Sequence, residues 1–162
     1  MSLALPYGTY DSTIDEKGRV IIPAPLRECY KGSLVVTQGN LRCVWIFLPE
    51  EWEKYNDNIE NGFKEKIIDY RQYELLKQVH VHPKRNAEID KKSGRIPVAP
   101  AVRTYAGLIN KKCLVISTEK RLEIWDAQKY YDYLNSNYDR IQEAANIIGT
   151  KFAENQHKER DA

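Results

Sequence analysis

The chain has 162 residues, 42% of them hydrophobic and 30% charged, with a formal net charge of +2 at pH 7. This balance belongs to a folded globular domain and excludes a disordered chain; no apolar run approaches the roughly 20 residues that span a bilayer, and the N-terminus shows no basic, apolar and cleavable leader, so the expected compartment is the cytoplasm. So small a charge excess does not advertise a nucleic-acid binder, and any such function has to rest on local clustering.

In chain order, Tyr7 to Ile14 alternates Tyr10, Ser12 and Ile14 on one side and predicts a strand entering a tight turn at Asp15 to Gly18, where the glycine supplies a positive φ. Arg19 to Ile22 reads as a second strand with Val20 and Ile22 inward. Pro25 starts a short helix expected to run through Tyr30, with Gly32 as its stop. Leu34 to Thr37 and Val44 to Leu48 predict two more strands around a turn at Gly39-Asn40, completing a β-β-α-β-β unit. Pro49-Glu50-Glu51-Trp52 opens a helix with carboxylates at the positive end of its dipole. The pattern predicts an interruption near Asn61-Gly62 and a resumed helix with Phe63, Ile67, Tyr70 and Glu74 on one stripe. Val79-His80-Val81-His82-Pro83 is an extended connector.

From about Asn86 the same succession returns. Asp90-Lys91-Lys92-Ser93-Gly94-Arg95 repeats the charged turn, a helix runs to Tyr105 with Gly107 as its stop, and Cys113 to Ser117 with Leu122 to Trp125 repeat the second strand pair. Arg95 follows Arg19, and Arg103 follows Arg27, at one offset of 76 positions, which implies an internal duplication. The expected domains are residues 1–78 and 79–162. Asp126 is placed to cap a helix containing Tyr130, Tyr131 and Leu134, and a last helix from Tyr138 puts Ile141, Ala145, Ile148 and Phe152 on one face, with a polar, fraying end beyond Phe152.

The chemistry lies in the turns. Lys17 and Arg19 flank a glycine, so two cations project from backbone that can approach a phosphate ribbon closely. Asp15 is suited to hold Arg19 by a charge-assisted pair, because a preoriented guanidinium loses less entropy on binding. In the second copy Lys84, Arg85, Lys91, Lys92 and Arg95 form the densest basic run. Candidate DNA-binding residues are therefore Asp15, Lys17, Arg19, Lys91, Lys92 and Arg95, with Arg19 the candidate for a bidentate guanine contact. The bland alternative is a pair of solvated charged loops in which Asp15 and Arg19 merely tie a hairpin. Arg27 and Arg103 are read as structural, pairing with carboxylates or capping carbonyls, and Trp45, Trp52, Trp125 and the tyrosines as core and interface anchors.

Cys29, Cys43 and Cys113 make an odd count without C-x-x-C spacing and read as small hydrophobes. His80 and His82 have the one metal-like spacing, but no third ligand is apparent. Catalytic triads, Gly-rich phosphate loops and paired carboxylates are not recognisable, so neither enzymatic activity, a cofactor nor a small-molecule substrate is expected.

Asp15-Glu16-Lys17-Gly18-Arg19, Ile22-Pro23-Ala24, Leu26-Arg27-Glu28, Gly94-Arg95-Ile96, Arg103, Tyr105-Ala106-Gly107-Leu108 and Glu123-Ile124-Trp125-Asp126 together resemble the MraZ family, two-copy members of the AbrB/SpoVT-like DNA-binding group, over roughly Tyr7 to Leu134. The resemblance implies an α+β fold of two tandem β-β-α-β-β units paired within one chain as a pseudo-dimeric, swapped-hairpin barrel with peripheral helices. It also implies a transcriptional regulator, cytoplasmic and nucleoid-associated, that binds double-stranded promoter direct repeats of the division and cell-wall gene cluster as a ring homo-oligomer, without a membrane partner. Two departures stand out: the second turn is one residue longer, with Asp90 five positions before Arg95 and Lys91 in the aligned acidic place, and Pro97 and Pro100 replace the simpler Ile22-Pro23. Two to four phosphate-neutralising cations per chain predict a log-log salt slope of only about −2 to −4, so affinity is expected to depend on several linked copies. Competing readings are a protein-interaction scaffold ring with ordinary solvated turns, and an antitoxin-like repressor, which the short polar tail disfavours.

Overall fold

The computed structural model describes residues 5–80, 83–109 and 112–161. The chain is α+β and forms two units, Met1–Ala127 and Gln128–Ala162. In the first, β1 (Gly8–Thr13), β2 (Arg19–Ile21), α1 (Ala24–Arg27), β3 (Leu34–Gln38) and β4 (Val44–Phe47) are followed by α2 (Pro49–Lys64) and α3 (Tyr70–Val79). The succession then repeats as β5 (Lys84–Ala87), β6 (Arg95–Pro97), α4 (Pro100–Ala106), β7 (Lys112–Ser117) and β8 (Leu122–Asp126).

Strands of the two copies interleave. The six-stranded antiparallel sheet has the order β1-β7-β8-β4-β3-β5, and β2 pairs with β6 in a separate two-stranded ribbon, tied to the end of the first strand by a bridge between Ile14 and Val20. Thus the first strand of each copy pairs with the third strand of the other, while second strands pair with each other and so do fourth strands. Register makes this a pseudo-two-fold arrangement: Val20 lies opposite Ile96, with Arg19 opposite Pro97 and Ile21 opposite Arg95. At the other junction Trp45 lies opposite Glu123, flanked by Val44 with Ile124 and Ile46 with Leu122. Strand pairing among the described residues leaves β1 and β5 at the two ends of the sheet, so no hydrogen-bonded barrel closes there.

The alternation of the strands sorts side chains into two layers. Val36, Val44, Ile46, Val115, Leu122 and Ile124 turn to one face and pack with Ile14, Val20, Ile22, Leu26, Ile96, Val98, Val102 and Leu108, all buried. Phe47 and Trp45 turn to the other face. There Phe47 meets Trp52 of α2 at 5.3 Å between ring centroids, and Trp45 meets Tyr55 at 5.3 Å. Trp45, Trp52 and Trp125 are all buried, as anchors should be, and Cys43 and Cys113 are buried free thiols while Cys29 is half-buried.

Several helix boundaries differ from the sequence expectation. α1 stops at Arg27 because Cys29 and Tyr30 donate their N–H groups only three residues back, to Leu26 and Arg27, tightening the chain out of the helix. α2 runs straight through Asn61-Gly62. A glycine there costs about 1 kcal/mol, which is outweighed by burying Trp52 and Ile59 and stacking Phe63 on Tyr73 at 4.7 Å. The break falls later, where Lys66 takes a φ of 60° and Ile67 N–H bonds Gly62 O at 2.8 Å. Asp69 then starts α3 through a capping box with Gln72, so Ile67 lies in the loop and is exposed rather than on a helical stripe. α5 (Ala127–Asn135) begins directly after Asp126, the last residue of β8. α6 (Tyr138–Arg160) carries Ile141, Ala145, Ile148 and Phe152 exposed on one face and continues eight residues past the expected fraying point, with His157, Lys158 and Arg160 complementing the dipole at its end.

Candidate nucleic-acid interface

Both charged turns sit at the ends of the β2–β6 ribbon. Val20 and Ile96 face the core with no exposed surface, so the alternation puts Arg19, Ile21, Arg95 and Pro97 on the outer face. Arg19 and Arg95 are diagonal neighbours there. Two residues that lie 76 positions apart in the chain become one cluster because the copies pair through these strands.

Asp15 organises the cluster. Its Oδ1 accepts from the backbone N–H groups of Lys17 at 3.0 Å and Arg19 at 2.9 Å, and its Oδ2 accepts from Arg19 Nε at 2.9 Å. Arg95 Nε reaches the same Oδ2 at 3.5 Å, an ion-pair distance without hydrogen-bond geometry. The Arg19 backbone N–H, with the guanidinium behind it, holds the Asp15 carboxyl below the ordinary carboxylate range.

Asp90 does not hold Arg95. Its carboxylate accepts from Ser93 N–H at 2.7 Å, and this bond lowers its pKa. In the longer second turn Ser93 Oγ takes the place of a carboxylate, meeting Arg95 N–H at 3.4 Å. Lys17, Lys91 and Lys92 are exposed, and the Arg19 and Arg95 side chains are 40% and 34% exposed, so the turns point outward. Lys84 and Arg85, adjacent in sequence to this basic run, belong instead to the sheet edge: Lys84 is in register with Val36, and Arg85 Nη1 pairs with Glu53 Oε1 of α2 at 3.4 Å.

Arg27 and Arg103 brace the turns from beneath. Arg27 Nε donates to Ile22 O at 2.7 Å and Arg103 Nε to Val98 O at 3.0 Å, each capping a carbonyl of its own copy. The guanidiniums then cross over. Arg103 occupies the space where a Cβ on Gly18 would stand, and Arg27 does the same at Gly94. Backbone bonds follow the same exchange, from Ile22 N–H to Gly94 O at 2.8 Å and from Val98 N–H to Gly18 O at 3.0 Å. A structural task for both arginines is legible in the sequence, but these contacts across the two copies are not. What the sequence does carry is the recurrence of Gly18 and Gly94 at the same offset as the two arginines.

His80 lies elsewhere, buried against Trp45 and Trp52 with Nε2 at 3.1 Å from the Tyr55 hydroxyl. His82 falls outside the described residues. No cluster of His, Cys, Asp and Glu with metal-binding geometry occurs among the described residues, and none of their helices is long and apolar enough to cross a membrane.

Comparison with known proteins adds an independent line. A family model described as "MraZ protein" and "antitoxin-like" matches residues 5–69 and again 83–150. A protein of Treponema denticola named "Transcriptional regulator MraZ" is 36% identical over 143 residues, covering 88% of this chain and 96% of its own. Proteins of the same name from Paenarthrobacter aurescens and Thermobifida fusca are 37% and 36% identical over 128 residues, covering 79% and 78% of this chain and 85% and 84% of theirs.

Proposed function

Because this chain belongs to the MraZ family, we propose that it is a sequence-specific, DNA-binding transcriptional regulator that works as a ring homo-oligomer on promoter direct repeats of a division and cell-wall gene cluster. One observation carries the reading: two turns from opposite copies converge on the outer face of one ribbon, with Lys17, Lys91 and Lys92 exposed around Arg19 and Arg95. Residues 1–78 and 79–162 are the two copies. Their exchanged strand pairing supports an intramolecular pseudo-dimer of swapped hairpins around a barrel-like core.

Three to five cations per chain give a salt slope of about −3 to −5, too shallow for tight binding by one copy. Linking copies on adjacent repeats raises avidity by about 10² to 10⁴ where the geometry permits, so assembly is part of the mechanism. Within each chain the carboxylate of Asp15 orients Arg19 and the glycines bring backbone close to the phosphates. The regulator acts on the nucleoid and uses no cofactor.

A mobility shift on DNA immediately upstream of its own gene, over a salt series and with native mass measurement, tests this. Arg19→Glu should abolish the shifted complex without changing the assembly mass. Intact binding by that variant overturns the reading. The exposed Ile141, Ile148 and Phe152 on α6 favour, as a second reading, a protein-binding scaffold; an assembled ring that shifts no DNA at any salt selects it.

A further inference from the structure

The two turns occupy equivalent positions about the pseudo-two-fold, yet they hold their arginines differently. At Arg19 a single carboxylate fixes both ends of the residue, Oδ1 on its backbone N–H and Oδ2 on Nε, each at 2.9 Å. With Nε committed, the end-on edge formed by Nη1 and Nη2 remains for a partner, in a plane set before any partner arrives. Arg95 has no equivalent clamp. Its backbone N–H is 3.4 Å from a serine hydroxyl, and its Nε is 3.5 Å from the carboxylate of the opposite copy. The carboxylate of its own turn is occupied by Ser93 N–H. Lys91, in the place where the first turn has an acidic residue, adds a second exposed lysine beside it, and among the described residues neither Lys91 nor Lys92 enters an ion pair.

These differences match two kinds of DNA contact. Reading a base edge needs a planar donor pair held in register, whereas a phosphate accepts a point charge from many directions. Resting on the DNA-binding reading above, we infer that the turns divide the work: Arg19 is the specificity-determining residue, and Lys91, Lys92 and Arg95 grip the phosphate backbone regardless of sequence. Each chain therefore reads its repeat from one side only. The recognised sequence within a repeat is asymmetric although the protein scaffold is nearly two-fold, which suits direct rather than inverted repeats.

The same substitution at the two equivalent positions tests this. The full chain first selects a consensus duplex from a randomised pool. Fluorescence anisotropy from about 50 to 300 mM KCl then compares that duplex with a scrambled one of equal composition. Arg19→Lys, which keeps the charge and removes the fork, should cut the preference for the consensus about 10- to 100-fold. Arg95→Lys should leave the preference within about twofold, since a phosphate contact needs only the charge. The double variant Lys91→Ala, Lys92→Ala should weaken both duplexes alike and flatten the salt slope by about 2. Thermal melting of each variant verifies the fold. Loss of preference in Arg95→Lys equal to that in Arg19→Lys, or in the lysine double variant, overturns the division while leaving DNA binding standing. If the parent chain enriches no sequence from the pool, the regulator reading falls and this inference with it.

Discussion

Gly94 meets two demands at once, and Gly94→Ala separates them. Its φ of 68° lies in the left-handed region, where a Cβ costs about 1–2 kcal/mol. The same Cβ would overlap the guanidinium of Arg27, which is tethered by its Nε bond to Ile22 O at 2.7 Å. Displacing it loses a charge-assisted hydrogen bond to the carbonyl of a fully buried residue, worth about 1.5–3 kcal/mol. Gly94→Ala is therefore expected to destabilise by about 2.5–5 kcal/mol, measured by urea unfolding followed through tryptophan fluorescence. Gly32 is the internal control: its φ is 80° but nothing lies within 4 Å of its Cβ position, so Gly32→Ala should cost only the backbone share, about 1–2 kcal/mol. In an Arg27→Ala background the cost of Gly94→Ala should fall to about that same value, a coupling of about 1.5–3 kcal/mol between residues of opposite copies. A Gly94→Ala variant as mild as Gly32→Ala, or one whose cost is undiminished without Arg27, would refute the cross-bracing argument.

Burial pushes the His80 pKa down to about 4, against about 6.5 in an unfolded chain. Between those values the unfolded state binds more protons, so stability should fall as pH drops from about 6.5 toward 4, by about 2–3 kcal/mol at pH 4.5. Comparing urea midpoints of the parent and His80→Gln at pH 7 and 4.5 isolates this share from that of Asp15 and Asp90, whose lowered pKa values act in the same direction. Trp52→Ala removes a side chain only 2% exposed between the sheet and α2, and should cost about 3–5 kcal/mol in the same assay. Asp15→Ala should weaken consensus-duplex binding more than Asp90→Ala, because the Asp15 carboxylate hydrogen-bonds Arg19 and lies 3.5 Å from Arg95 Nε, whereas the Asp90 carboxylate bonds Ser93 N–H and acts on Arg19 through its charge. Equal losses in anisotropy would count against Asp15 as the organiser.

Local order was largely legible. Alternation around Val20 and Ile96, the turn glycines and the prolines that open helices are decided by residues within a few positions of one another, so both copies of the β-β-α-β-β succession could be traced from periodicity and turn chemistry. Gly62 misled because its intrinsic cost is small beside the burial of Trp52 and Ile59 on the same helix, and burial depends on what lies opposite. The pairing of Asp15 with Arg19 was also within reach, being four residues long.

What the residues alone determined, then, is the inventory: two copies, two cationic turns, and a left-handed glycine, Gly18 and Gly94, closing each of them. Tertiary structure decided the exchange, with first strands crossing to the opposite copy, Arg27 and Arg103 lying against the other copy's glycine, and Arg95 leaning toward Asp15 while Asp90 serves Ser93. Periodicity specifies which face of a strand is buried but not which strand covers it. A contact between residues 67 to 85 positions apart has no local signature, and it exists only once two copies of one pattern have folded through each other.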